Sequence, residues 1–228
     1  MTDGLKFGRL TRRHVIATFG ALLCAIPAQA QSPAKPITIV ALGDSLSAGF
    51  QLPVRKAFPV QLEAALKARG HTVSVINAGV SGDTTAAGLD RLAWAVPPEA
   101  DAVIVQLGGN DALRGLDPKE ARANLDKILT QLTADKRDLL VAGMRAPTNL
   151  PAAYRDVFDR MYPELAAKHG ALLYPFFIEK TALQPKLNLA DGLHPTAEGV
   201  ALIVEDVLPK VEELIARVKA RRALKTGG

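Results

Sequence analysis

The sequence predicts a three-layer, doubly wound α/β/α domain built around a five-stranded parallel sheet. Three observations carry this expectation. Short apolar, β-branched runs recur five times along the chain. Segments with apolar residues three and four apart, the period of an amphipathic helix, separate them. The runs are apolar at successive positions instead of alternating, which suits strands covered by helices on both faces. With 228 residues and 48% hydrophobic content, the chain can build one sizeable core. Aromatic residues make up only 5%, which suits helices on a sheet better than an aromatic-rich sandwich.

Residues 1–30, MTDGLKFGRLTRRHVIATFGALLCAIPAQA, are set apart from the fold. Lys6, Arg9, Arg12 and Arg13 precede an apolar stretch, and Ala28-Gln29-Ala30 has the small-x-small pattern of a signal peptidase site. The apolar stretch of about 13 residues is too short for a bilayer, which takes roughly 20. Residues 1–30 are therefore expected to be a cleaved export signal and 31–228 a single domain, periplasmic or secreted. Thr11-Arg12-Arg13-His14-Val15-Ile16 resembles a twin-arginine signal, and an ordinary Sec signal with an arginine pair stays open beside it. Leu22-Leu23 before Cys24 lacks the small residue of a lipoprotein signal.

Without residues 1–30, 24 basic and 22 acidic residues remain, net +2 against +5 for the whole chain. That balance gives no argument for a nucleic-acid partner, and the basic tail ARVKARRALKTGG reads as a solvated helix end. Cys24 is the only cysteine, so the exported domain has neither an intramolecular disulfide nor a thiolate metal site.

Taken in order, the first strand is expected at 37–42 and breaks into Gly43-Asp44-Ser45-Leu46-Ser47. A helix at 57–69 closes on Gly70, a C-cap position. The second strand, 73–76, runs into the small and polar segment Asn77 to Thr84. A helix at 84–95 follows, with Trp94 expected in the core. The third strand, 102–107, leads to Gly108-Gly109-Asn110-Asp111, and the helix at 118–134 opens on a proline. After the fourth strand, 139–142, come a helix at 152–168 ending before Gly170, a fifth strand at 172–176, and a last helix at 196–222. Just ahead of that helix stands Asp191-Gly192-Leu193-His194-Pro195. Ligands in such sheets bind beyond the carboxyl ends of the strands, which is where these small, polar and titratable residues gather.

Serine is a weak nucleophile unless a base takes its proton and a partner orients that base. His71 and His169 flank helix ends and read as cap or surface residues, whereas His194 lies three residues after Asp191 and is held extended by Pro195. Alone, Asp-x-x-His is also an ordinary turn, and Asn110-Asp111 is also a turn followed by a helix cap. Acyl transfer further requires donors for an oxyanion. The Ser45 N–H, a glycine N–H after the second strand and the Asn110 amide are available, and Gly108-Gly109 would let a substrate approach. Ser47 has Gly49 at x-S-x-G spacing, but a G-x-S-x-G elbow needs glycine where Ser45 stands. Asp44 is read as shaping the turn.

In order, Gly43-Asp44-Ser45-Leu46-Ser47, Gly82-Asp83-Thr84, Gly109-Asn110-Asp111 and Asp191-Gly192-Leu193-His194-Pro195 resemble the blocks of the SGNH (GDSL) hydrolases. The likeness extends through nearly all of residues 31–228. LGGNDALRGLDP, Tyr162-Pro163-Glu164-Leu165 and Tyr174-Pro175-Phe176-Phe177 resemble the subgroup of small bacterial periplasmic arylesterases, thioesterases I and lysophospholipases L1. The resemblance implies a flavodoxin-like form of the fold, Ser45 as nucleophile, His194 as base and acid, and Asp191 as its orienter. It implies an oxyanion hole of the Ser45 N–H, the Gly82 N–H and the Asn110 side chain, with Gly82 preferred to Gly79 because it heads Gly-Asp-Thr. No metal or organic cofactor is implied.

The expected function is a secreted serine ester hydrolase working through an acyl-enzyme on small aryl or short-to-medium acyl esters, with thioesters and lysophospholipids in range. Residues 145–160 are expected to wall the site. A monomer without nucleic-acid partner or stable membrane insertion is expected. Carbohydrate or cell-wall O-acetyl esters remain an alternative substrate class. A non-catalytic binding domain is the alternative from another class, against which the presence of all four blocks speaks.

Overall fold

β1 (Ile37–Gly43), β2 (Val73–Gly79), β3 (Ala102–Gln106), β4 (Asp138–Ala142) and β5 (Leu172–Tyr174) form one all-parallel sheet in the order β2-β1-β3-β4-β5. The computed structural model describes residues 1–4 and 35–226. Contacts divide the chain into Met1–Pro33 and Ala34–Gly228. In the first unit, residues 1–4 form no helix or strand, and the rest of the expected export signal, 5–30, lies outside the described residues.

The helices are α1 (Ser45–Ala48), α2 (Phe58–Ala68), α3 (Thr85–Asp90), α4 (Leu92–Ala95), α5 (Gly109–Leu113), α6 (Pro118–Ala134), α7 (Ala152–Lys168) and α8 (Ala197–Thr226). α2 and α8 pack together on one face of the sheet, and α6 packs between α3 and α7 on the other. Periodicity explains the packing. α6 buries Ala121, Leu125, Ile128, Leu129 and Leu132 along one stripe. α8 does the same with Val200, Ile203, Val204, Val207, Leu208 and Val211. Every residue of β3 is buried, as a strand covered on both faces requires. Each fully buried Leu, Ile or Val contributes about 1.5–3 kcal/mol, so the two stripes hold the layers together.

Register decides where the site can lie. Gly43 at the end of β1 stands opposite Gly79 of β2 on one side and Gln106 of β3 on the other. The chain steps from β1 to β2 in one direction and to β3 in the other, so a crevice opens beyond these three ends.

Several expectations are corrected. The helix expected over 84–95 is broken at Arg91, which caps the end of α3 and the start of α4. The four-residue α4 turns Leu92 and Ala95 inward, which leaves Trp94 on its outer side, 72% exposed and not in the core. β5 stops at Tyr174 because Pro175 has no N–H for a ladder. By contrast, α7 takes up 145–160 from Ala152 onward as expected, and Asp159 reaches back to accept the Ala146 N–H at 2.8 Å. The basic tail is not simply solvated: Arg221 pairs with Asp138 at 2.8 Å and Arg222 with Asp101 at 2.6 Å. Among the described residues no helix is long and apolar enough to cross a membrane.

Candidate active site

β1 ends in a turn with no room for a side chain at its first residue. A Cβ on Gly43 would lie 2.2 Å from Ser47 Oγ and 2.7 Å from Gln106 Oε1. Asp44 follows, buried, and its Oδ1 accepts the Leu46 N–H at 2.9 Å to cap α1. That places Ser45 at the first position of α1. The neighbouring hydroxyl is occupied elsewhere: Ser47 Oγ donates to Gln106 Oε1 at 2.9 Å within the core. Gln106 ends an otherwise apolar run, AVIVQ. A glutamine closing such a run is a sequence signal of a buried polar contact, and Gln106 is fully buried.

The loop from 187 to 196 brings the other partners. Thr196 N–H donates to Leu187 O at 2.8 Å and Leu189 N–H to His194 O at 2.7 Å, so the loop closes on itself. The Asn188 amide ties it down by donating to Thr181 O at 2.7 Å and Gln184 O at 3.1 Å. Within the loop, Asp191 Oδ1 accepts the N–H groups of Leu193 and His194 at 2.9 and 3.0 Å. Its Oδ2 lies 2.7 Å from His194 Nδ1. These bonds, led by the His194 backbone N–H, hold the carboxyl at about 2, so it is ionised at neutral pH. With the ring proton on Nδ1 donated to Asp191, His194 Nε2 accepts from Ser45 Oγ at 2.8 Å. The Phe50 ring covers the imidazole, with centroids 4.4 Å apart.

The loops after β2 and β3 are bolted together. Val80 N–H donates to Gly43 O at 3.0 Å and Asp83 N–H to Val80 O at 3.2 Å, with Gly82 between them at a φ of 88°. Thr84 caps α3. Asn110 Nδ2 donates to Asp83 O at 3.0 Å, which fixes the amide and leaves its second proton available. Asp111 accepts the Thr85 N–H at 2.9 Å and its hydroxyl at 2.7 Å. Neither the Ser45 nor the Gly82 N–H has an acceptor among the described residues.

Two acids sit behind this surface. Burial pushes the Asp44 carboxyl up to about 6, opposed by its bond from Leu46 and reinforced by the nearby charge of Asp83. Asp83 itself is buried and paired with Arg91 at 2.5 Å.

The reason expected for Gly108 is corrected. Its φ is 112°, and a Cβ there would lie 2.3 Å from Tyr162 Oη, which donates to Leu107 O at 3.1 Å. Gly108 therefore makes room for the protein's own Tyr162. A Cβ on Gly109 would lie 3.4 Å from Asp44 Oδ2, an ordinary contact. His71 and His169 bond to Glu212 and Asp126, at 3.0 and 2.6 Å, and take no part in the cluster. No group of three or more His, Cys, Asp or Glu side chains among the described residues could hold a metal ion. Phe50, Gln106 and Arg91 were missed from sequence because each acts through a partner distant in the chain, and Asn188 because its bonds to Thr181 and Gln184 run to backbone carbonyls.

Taken together, a hydroxyl leans on a base, the base on an ionised carboxylate, and free N–H donors lie in the adjoining loops. That set can move a proton and stabilise an anion beside it.

Comparison with known proteins gives the same direction. Residues 41–202 match the model of the GDSL-like lipase/acylhydrolase family. An arylesterase of Vibrio mimicus is 40% identical over 170 residues, 74% of this chain and 85% of that one. The thioesterase 1/protease 1/lysophospholipase L1 of Escherichia coli K12 is 34% identical over 212 residues, 92% of this chain and 98% of that one. The crystal structure of AlinE4, an SGNH-hydrolase family esterase, superposes with a TM-score of 0.68 at 48% identity, covering 80% of this chain and 98% of that one.

Proposed function

The chain belongs to the GDSL-like lipase/acylhydrolase family and is an SGNH/GDSL esterase, and from that premise we propose that it cleaves esters through an acyl-enzyme on Ser45. The observation that carries this reading is the run of hydrogen bonds from Ser45 Oγ to His194 Nε2, 2.8 Å, and from His194 Nδ1 to Asp191 Oδ2, 2.7 Å.

In the first half-reaction Ser45 Oγ attacks the ester carbonyl carbon as its proton passes to His194 Nε2. The carbonyl oxygen becomes an oxyanion held by the Ser45 N–H, the Gly82 N–H and the Asn110 amide. The tetrahedral intermediate collapses, the carbon–oxygen bond to the leaving group breaks, and the imidazolium returns the proton to the departing alcohol, or thiol for a thioester. In the second half-reaction water adds to the acyl carbon, giving its proton to His194, and Ser45 leaves protonated with release of the acid. Asp191, ionised throughout, keeps the ring in the required tautomer and faces the imidazolium when it forms.

The relatives named arylesterase and thioesterase 1/lysophospholipase L1 support aryl esters, acyl thioesters and lysophospholipids as the substrate range. Export after removal of residues 1–30 belongs to the same proposal, supported by the basic, apolar and small-residue pattern of that segment. The test is turnover of p-nitrophenyl acetate and labelling by a fluorophosphonate. Both should be lost in Ser45→Ala, and wild-type turnover in clean Ser45→Ala protein would overturn the reading.

A further inference from the structure

One charged group beneath the site is not used by the chemistry above. Arg91 is 6% exposed and sits where the helix expected over 84–95 is broken. Its Nε lies 2.5 Å from Asp83 Oδ2, and its Nη2 donates to Gly43 O at 2.9 Å. Both partners adjoin site groups. Gly43 is two residues before Ser45. Asp83 directly follows Gly82, and its carbonyl accepts the Asn110 amide at 3.0 Å. A single guanidinium therefore joins the turn that carries the nucleophile to the loop that carries one oxyanion donor and anchors another.

The chemistry of the pairing supports a demand for arginine. A planar fork serves a carboxylate and a carbonyl at fixed angles, whereas an ammonium on a flexible stem cannot hold both in register. Burying an ion pair is a weak route to stability, since apolar residues of similar volume often do as well. A buried pair is informative where geometry matters, and here it spans the two loops whose separation sets the oxyanion hole. The Arg91 charge also offsets that of Asp83, which would otherwise stand uncompensated near a site where negative charge develops.

Resting on the assignment of Ser45 as nucleophile, we propose that Arg91 is a positioning residue: it fixes the distance from Ser45 to the Gly82 and Asn110 donors. It acts on the transition state and not on substrate affinity. Both half-reactions pass through a tetrahedral oxyanion, so loss of the positioning lowers kcat with little change in KM.

The experiment compares Arg91→Lys, Arg91→Met and the double variant Arg91→Met/Asp83→Asn. For each, kcat and KM on p-nitrophenyl acetate, the inhibition constant of a trifluoromethyl ketone that forms a tetrahedral adduct, and Tm are measured. Arg91→Met is expected to lose about 10²-fold in kcat, the size of one oxyanion donor, with KM within about twofold. Affinity for the ketone should fall by the same factor. Arg91→Lys should keep the charge and most of the Tm yet lose about tenfold in kcat, because the second hydrogen bond is not remade. In the double variant no carboxylate is left unpaired, so Tm should recover while kcat stays at least about tenfold down.

Recovery of kcat together with Tm in the double variant would mean a structural role only, and overturns the proposal. Wild-type kcat and ketone affinity in Arg91→Lys would do the same. If Arg91→Met fails to fold, the other two variants carry the test. Ser45→Ala run in parallel separates the two readings. Turnover surviving there removes the serine mechanism itself, whereas an inactive Ser45→Ala beside unaffected Arg91 variants removes this inference alone.

Discussion

The two edges of the sheet carry the same kinds of charged group and use them in opposite ways. At the amino edge, Asp101 and Asp138 stand at the starts of β3 and β4 and are met by Arg222 and Arg221 from α8. Asp101 also accepts the Thr38 N–H at 2.9 Å, and Arg222 reaches the carbonyls of Lys35 and Pro36 at 2.7 and 3.0 Å. Each of these groups has a partner within the protein. At the carboxyl edge, Asp44, Asp83 and Asp111 are buried, and only Asp83 is paired with an arginine among the described residues. There the Ser45 and Gly82 N–H groups have no acceptor among the described residues, and the Ser45 hydroxyl rests on a base. An edge whose hydrogen bonds are all made can fasten the chain. Chemistry requires an edge where some bonds are still to be made with a substrate.

The largest effects should appear where that division is sharpest. Ser45→Ala and His194→Ala are each expected to lower kcat by about 10⁴–10⁶, and Asp191→Asn by about 10⁴. Asn110→Ala should cost about 10²–10³, since it removes one proposed oxyanion donor and spares the proposed nucleophile. p-Nitrophenyl acetate turnover measures the rates, and thermal melts should stay within about 2 °C of the parent, as expected for substitutions that remove little packed apolar surface. Melting points that fall while turnover survives would break the comparison, because the carboxyl edge would then be fastening the chain as well.

Two acids of the site, Asp44 and Asp191, sharpen it further, since their shifts have opposite signs. A carboxyl raised in the fold keeps its proton where the unfolded chain has released it. The contribution of Asp44, held up to about 6 by burial, is therefore fully present below about pH 4 and lost as pH rises through about 6. The shift corresponds to about 3 kcal/mol. Asp44→Asn keeps an acceptor for the Leu46 N–H and removes the titration. Relative to the parent, it should gain about 3 kcal/mol between pH 4 and pH 7 in urea unfolding. A stability difference that is flat over that range would refute the assignment. Asp191, lowered to about 2, acts in reverse: its contribution is present above about pH 4 and lost as pH falls toward 2. Its half-exposed position makes that effect the smaller one.

Much of this arrangement was legible in the sequence, for a physical reason. A parallel sheet covered on both faces forces its central strands to be nearly continuously apolar and its site to lie at their carboxyl ends, so ITIVALG followed by Asp44-Ser45 marks both at once. The pairings across the edge were not legible. Arg91 falls inside the helix expected over 84–95, and the break in that helix brings it to Gly43 and Asp83. Trp94 was misplaced by the same break. Gly108-Gly109 reads as room for a substrate, whereas the packing gives the space at Gly108 to Tyr162. Arg221 and Arg222 looked like a solvated tail because their partners lie 83 and 121 residues away.

The smallest effect tests the amino edge directly. Arg221→Met/Arg222→Met removes the links from α8 to Asp101 and Asp138, and the carbonyls of Lys35 and Pro36 lose their donor. The side chains are partly exposed, 25% for Arg221 and 29% for Arg222, so each ion pair is screened by water. The methionines retain apolar contact along the stem. A loss of about 1–3 kcal/mol is expected, or about 2–4 °C in Tm for each kcal/mol in a domain of this size. Added salt should narrow the gap to the parent, since screening weakens what the pairs contribute. Turnover at 25 °C should stay within about twofold, because no group at this edge touches the site. A tenfold loss of kcat with Tm retained would mean that the amino edge sets the geometry of the carboxyl edge through the strands, and the separation of fastening from chemistry would fail.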